Sequence, residues 1–242
     1  MNDALGHRAL SQVKRVLVLH DLHPNADNAA WRGAMLARGN GGWLRILNLS
    51  RFGDPELARK RLASLVWRLQ EHLQIAVLAQ AVRGAFMGEL RRAAEEADLV
   101  VMRAPSGLDA ATALHPVRAA QLAGRPTLVV RTPATVAYRR VLVGAPSEHG
   151  AERLLLAASA MGDGRELPST TPMQSAAGLL GRERTLFPDL VVLPCAQAPS
   201  TARRFLSLTE VDTLLLPLPA ADLQRGSAAR SVAPYEQKAA LS

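Results

Sequence analysis

Short apolar runs that barely alternate with polar residues are what most constrain the fold of this 242-residue chain. Its first half holds five of them, at residues 16–19, 43–49, 75–82, 99–102 and 128–130. A strand with one face in water alternates apolar and polar side chains. A strand covered on both faces has no reason to, so these runs predict a parallel sheet with helices on either side. Helical patterns fill the gaps. Residues 25–38 run into Gly39-Asn40-Gly41-Gly42, a strong helix stop. Asp54-Pro55-Glu56 supplies a cap, a proline for the first helical position and an acid for the first turn. The helix it opens, to about Leu73, sets Leu57, Leu62, Leu65, Val66 and Leu69 on one face. Residues 86–97 place Phe86, Met87, Leu90 and Ala94 in the same way. Strand and helix alternate five times, which predicts an α/β fold with a five-stranded, right-handedly wound parallel sheet.

The chain then repeats itself. Arg15-Val16-Leu17-Val18 returns as Arg140-Val141-Leu142-Val143, and Asp98-Leu99-Val100-Val101-Met102 as Asp189-Leu190-Val191-Val192-Leu193. Thr127-Leu128-Val129-Val130 returns as Thr213-Leu214-Leu215-Leu216. One such match means little, but three in the same order point to an internal duplication. Asp98 lies 83 residues after Arg15, whereas Asp189 lies 49 after Arg140, so the second copy is short by about 34 residues. Its middle, residues 163–187, reads as a polar loop and one helix, which leaves a reduced unit of about three strands. The expected organisation is an N-terminal segment at 1–13, a complete unit at 14–133, a truncated unit at 138–219 and a frayed or disordered tail at 220–242.

The order of these residues resembles the universal stress protein family in its tandem, two-copy form. Residues 16–21 look like the family's first strand, which ends in an aspartate. Val82-Arg83-Gly84, the helix after it and residues 97–102 resemble its third strand, third helix and fourth strand. Ser106-Gly107-Leu108 and the segment through Gly124-Arg125-Pro126 to Val130 resemble its last helix and strand. The resemblance covers nearly all of residues 14–133 and returns more weakly over 138–219.

Nucleotide-binding members carry, after the fourth strand, two glycines two residues apart, then nine residues, then Gly-Ser or Gly-Thr. These cradle phosphates, while backbone near the first two strand ends holds adenine and ribose. Carried over, Asp21 keeps the family aspartate and Leu49 sits at the second-strand position beside the adenine. Arg103 stands where the first glycine would be, the second falls near Ala104 or Pro105, and His115-Pro116 replaces the Gly-Ser pair. Met102 and Val117 flank this loop, and Gly107 is the glycine it retains. Proline offers no N–H donor, and a side chain at 103 or 115 fills space that glycine leaves open. The resemblance therefore implies a non-enzymatic protein of stress response or regulation with a degenerate nucleotide site. The alternative is a module that still takes ATP, AMP or another anion through Asp21, Leu49, Met102, Arg103, Gly107, His115 and Val117. In the second copy, Ala145-Pro146 replaces the aspartate and residues 194–200 contain no glycine.

The rest of the sequence adds limits. Only 4% of residues are aromatic, so the core must rest on Ala, Leu and Val. The formal charge of +8 invites a nucleic-acid partner, but the arginines are scattered along helices and such a partner is not the expectation. No apolar stretch approaches the ~18 residues that span a bilayer, and the N-terminus lacks the apolar core of a signal peptide. A cytoplasmic protein with no membrane partner is expected. His20-Asp21-Leu22-His23 suggests metal, yet no further cluster completes a zinc shell, and it reads as a polar strand-end loop. Cys195 reads as a buried residue at a strand end rather than a thiol nucleophile. No G-x-S-x-G and no other catalytic constellation is present. Family members pair through their final strands, so 127–130 and 213–216 are expected side by side as an intrachain pseudo-dimer. Apolar surface left by the truncation makes a homodimer of tandem chains a second expectation.

Overall fold

The computed structural model describes residues 13–49, 54–82, 86–105, 116–133, 137–145, 148–173, 175–195 and 199–217. The expected tail at 220–242 and nearly all of the N-terminal segment lie outside them. The first half contains β1 (Arg15–His20), α1 (Ala26–Gly39), β2 (Trp43–Asn48), α2 (Pro55–Leu73) and β3 (Ala76–Ala81). It continues with α3 (Phe86–Glu95), β4 (Leu99–Arg103), α4 (Pro116–Ala123) and β5 (Thr127–Val130). The second half contains β6 (Val141–Ala145), α5 (Glu148–Met161), β7 (Ser169–Pro172), α6 (Ala176–Leu186), β8 (Leu190–Pro194), α7 (Pro199–Leu208) and β9 (Asp212–Leu216).

The strands among the described residues form one nine-stranded sheet in the order β3-β2-β1-β4-β5-β9-β8-β6-β7. Neighbours are parallel except β5 and β9, which run antiparallel with Leu128 opposite Leu214. The first half forms the expected five-stranded parallel array, and the sheet continues through the antiparallel β5–β9 contact into the second half, so that as a whole it is mixed. The second half contributes four strands, not about three. Ser169-Thr170-Thr171-Pro172 forms β7, which lies at the sheet edge with β6 as its one neighbour. An edge strand buries little, and β7 buries Thr171 alone of its four residues, so it carries no apolar signature. The same effect corrects the other edge. Residues 76–81 were expected to be covered on both faces, but β3 is largely exposed and Leu78 keeps 55% of its surface in water.

The helices follow their sequence signals. The Asp54 carboxylate accepts the Glu56 N–H at 2.8 Å, with Pro55 at the first helical position. Leu62, Leu65 and Leu69 of α2 are buried, while Leu57 in its first turn stays exposed. Ala26, Ala29, Ala30, Ala34 and Ala37 line the buried face of α1. Gly33 shows why these side chains are small: a Cβ there would lie 3.0 Å from Val18 and 3.1 Å from Val16. The helix backbone rests almost on the sheet. Two packed layers cross the β5–β9 junction, one joining Leu128 and Val130 to Leu214 and Leu216, the other joining Val129 to Leu142, Val191, Phe205 and Leu215.

Two aspartates tie strand starts together. Asp98, before β4, accepts the N–H groups of Lys14 and Arg15 at 3.2 and 2.9 Å, and its own N–H donates to the Arg15 carbonyl at 2.8 Å. Asp189, before β8, accepts the N–H groups of Arg139 and Arg140, both at 3.0 Å, and donates to the Arg140 carbonyl at 2.8 Å. A third aspartate has no such counterpart. Asp212, fully buried at the start of β9, accepts the N–H groups of Arg131 and Thr132, the Thr132 hydroxyl and, at 2.6 Å, the Tyr138 hydroxyl. Arg32 of α1 stacks on the Tyr138 ring with its Nε 3.7 Å from the same carboxylate. The connection between the halves is thus fastened at both ends to a buried charge. Among the described residues, no helix is long and apolar enough to cross a membrane.

Candidate functional site

β1 and β4 run in register from Val16 and Leu99 to Leu19 and Met102, and then their chains part. The chain after β1 proceeds to β2 on one side, and the chain after β4 proceeds to β5 on the other. A crevice opens where such connections diverge, at the carboxyl ends of the strands, and ligands of open α/β sheets sit there. The structure places Asp21 and Arg103 at this point and brings them into contact. Arg103 Nη2 lies 2.6 Å from Asp21 Oδ2, and Nε lies 2.7 Å from Oδ2 and 3.0 Å from Oδ1. Arg103 is buried and also donates from Nη1 to the Ala104 carbonyl at 3.2 Å. Burial pushes the Asp21 carboxyl up, but the Arg103 hydrogen bonds and charge, with the His23 N–H, outweigh it and hold the carboxyl below its ordinary range. The Arg103 and Asp21 charges pair directly with each other.

The turn after β1 is built from three successive bonds, each from a backbone N–H to a side chain two residues earlier. Leu22 N–H donates to His20 Nδ1 at 3.1 Å, His23 N–H to Asp21 Oδ1 at 3.2 Å, and Asn25 N–H to His23 Nδ1 at 3.1 Å. They hold Leu22 in the left-handed region at φ 64°, a strained place for a branched side chain. His20, buried at the end of β1, has Nε2 3.2 Å from Asp27 Oδ1, and Arg68 of α2 lies 2.8 Å from the other Asp27 oxygen. The His20 hydrogen bond lowers the Asp27 carboxyl, burial opposes this, and Arg68 adds to the lowering. His20, Asp21 and His23 therefore turn to three different partners, and among the described residues no three His, Cys, Asp or Glu side chains converge as metal ligands. The part played by Asp27 and Arg68 was not legible in sequence, because no motif links residues 20, 27 and 68.

The other predicted residues scatter in role. Leu49 lies at the crevice rim, half-buried, with its N–H committed to the His20 carbonyl at 2.7 Å. Met102 is buried beside it, and Val117 is fully buried in the first turn of α4. Gly107 and His115 lie outside the described residues. Cys195 is buried after β8, and burial pushes its thiol up to about 11. A thiol-disulfide reagent at neutral pH should leave the native chain unlabelled over the time in which the urea-unfolded chain reacts fully. Stoichiometric labelling of the native chain would contradict that burial.

Among solved structures, a universal stress protein from Archaeoglobus fulgidus DSM 4304 superimposes with a TM-score of 0.64 at 14% identity. The match covers 86% of this chain and 98% of that one. The fold is that of the universal stress proteins. A functionally unknown protein from Pseudomonas aeruginosa PAO1 matches with a TM-score of 0.56 at 16% identity, over 93% of this chain and 99% of its own. A proposed universal stress protein from Pseudomonas aeruginosa UCBPP-PA14 matches with a TM-score of 0.55 at 17% identity, over 93% and 100%. No family model and no curated protein matches the sequence.

The Ala104 N–H donates to the Val130 carbonyl at 2.9 Å, and Pro105 and Pro116 have no N–H to offer. The second half repeats the first of these arrangements, with the Cys195 N–H on the Leu216 carbonyl at 2.9 Å.

Proposed function

We propose that this chain is a non-enzymatic regulatory protein of the universal stress type, a tandem of one complete and one truncated unit whose nucleotide site is closed by its own side chains. The Arg103–Asp21 pair carries the reading. It puts a guanidinium where phosphate-binding relatives keep a glycine and uses it to neutralise the aspartate that the resemblance assigns to the ligand. An anion entering this crevice would have to separate that pair first, and the backbone at 104, 105 and 116 offers it no compensating N–H.

The tandem reading rests on repeated geometry. Asp98 and Asp189 tie the same pair of backbone N–H groups, and Ala104 and Cys195 donate to matching carbonyls. The strand order β3-β2-β1-β4-β5 is mirrored by β9-β8-β6-β7 read outward from the junction, with α2 and β3 as the parts lacking a counterpart. The antiparallel β5–β9 contact is what a pseudo-dimer through final strands requires, and the neighbour matched over 98% of its own length spans both halves.

Calorimetric titration with ATP, and separately with AMP, at neutral pH tests the closed site. The expected result is no heat of binding up to millimolar nucleotide. Micromolar binding that Asp21→Ala abolishes would instead establish the alternative, a nucleotide-binding regulatory module in the first unit.

A further inference from the structure

The hydrogen bonds of the β1 turn fix the tautomer of a buried histidine. Because His20 Nδ1 accepts the Leu22 N–H, the neutral ring carries its proton on Nε2 and donates it to Asp27. Both ring nitrogens are used, and the bond at Nδ1 depends on that one protonation state. A second proton has one place to go, Nδ1, where it would point at the Leu22 N–H, donor against donor. We propose that His20 is a proton-operated latch on the crevice: its protonation breaks the Leu22 hydrogen bond, releases the 21–23 turn and draws Asp21 off Arg103.

The charges around His20 favour this course. From α1, Asp27 faces Nε2 and gains a full ion pair when the ring becomes cationic, while Arg68 of α2 on the far Asp27 oxygen opposes it. From the turn itself, Asp21 is the adjacent carboxylate and its charge interacts with His20. From β4, Arg103 holds Asp21 and competes with the new cation for it. His23 sits in the same series of bonds, its Nδ1 accepting the Asn25 N–H. A buried N–H at Nδ1 needs an acceptor, and the Asp21 carboxylate is the one that the turn can deliver. Leu22 helps, since losing its N–H partner lets it leave the left-handed region. The latch operates whether or not the crevice takes a nucleotide, and it is read without one.

The test is a pH titration of the isotope-labelled full chain by NMR, from pH 8 to pH 5. The His20 ring, the Leu22 amide and the Arg103 Nε–H signals are expected to move with one shared midpoint. Protection of the Leu22 amide against hydrogen exchange should fall about tenfold relative to β1, as one hydrogen bond is lost. His20→Asn places an oxygen within reach of the Leu22 N–H but takes up no proton, so the Leu22 and Arg103 signals should stay flat. An Arg103 signal that is flat in the unaltered chain, or moves equally in His20→Asn, overturns the proposal. Should His20→Asn fail to fold, His23→Asn decides: a shared His20 and Arg103 midpoint supports the latch, and separate midpoints refute it.

Discussion

Replacing Asp212 with alanine should cost the fold about 3–5 kcal/mol, the usual penalty for stripping a buried charge from its partners. The carboxylate is fully buried and accepts two backbone N–H groups and two hydroxyls, with the buried Arg32 beside it. Alanine leaves those donors without that acceptor and removes the counter-charge that Arg32 faces. Burial first, and then the Asp212 charge, pushes the Tyr138 phenol well above its ordinary value, which keeps its hydroxyl as the donor in this pair. Set against a typical total of about 5–15 kcal/mol, the loss approaches unfolding. Asp212→Asn keeps an acceptor oxygen for the 131–132 N–H groups and should cost less, about 1–3 kcal/mol. Urea denaturation separates the two variants. A midpoint for Asp212→Ala equal to that of the unaltered chain would mean that the connection between the halves is held by something else.

The alternation of runs and helices carried most of the first half because each central strand is buried on both faces, and burial writes itself into the sequence as Val and Leu. The edges escaped for the converse reason. β7 is Ser-Thr-Thr-Pro and answers to one neighbour, so nothing in its composition had to declare a strand. The Asp98–Asp189 match was legible because both aspartates precede an apolar run in the same way. Asp212 sits at the place that Pro126 takes in the first half, so the repeat itself hid it, although an acid opening a run as apolar as Thr213–Leu216 was the signal to follow. At the crevice, sequence placed Asp21 and Arg103 at the same strand ends but assigned both to a ligand. That they meet depends on a guanidinium being long enough to cross from β4 to the turn after β1. Spacing along the chain, 82 residues apart, contains no trace of it.

Asp21→Ala should then expose how much of the crevice is closed by that pair. The Arg103 side chain is 7% exposed and Asp21 29%, so removing the carboxylate leaves a buried cation facing a partly hydrated gap. The expected cost is about 2–3 kcal/mol, below the full penalty of a buried pair because water reaches one side. Arg103→Met, which removes the buried charge and keeps the chain length, should cost less, since Asp21 can turn to solvent. The double variant should be more stable than the two single costs predict, with a coupling of about 1–2 kcal/mol. Acid gives the same test without mutation. The Asp21 carboxyl is held below its ordinary value in the fold, so its contribution is complete above the unfolded value of about 4 and is lost as pH falls through the lower folded value. The unaltered chain should therefore lose stability below about pH 4 more steeply than Asp21→Ala does. Additive single costs, with parallel acid limbs, would mean that Arg103 and Asp21 merely lie side by side, and that the crevice is open to an anion after all.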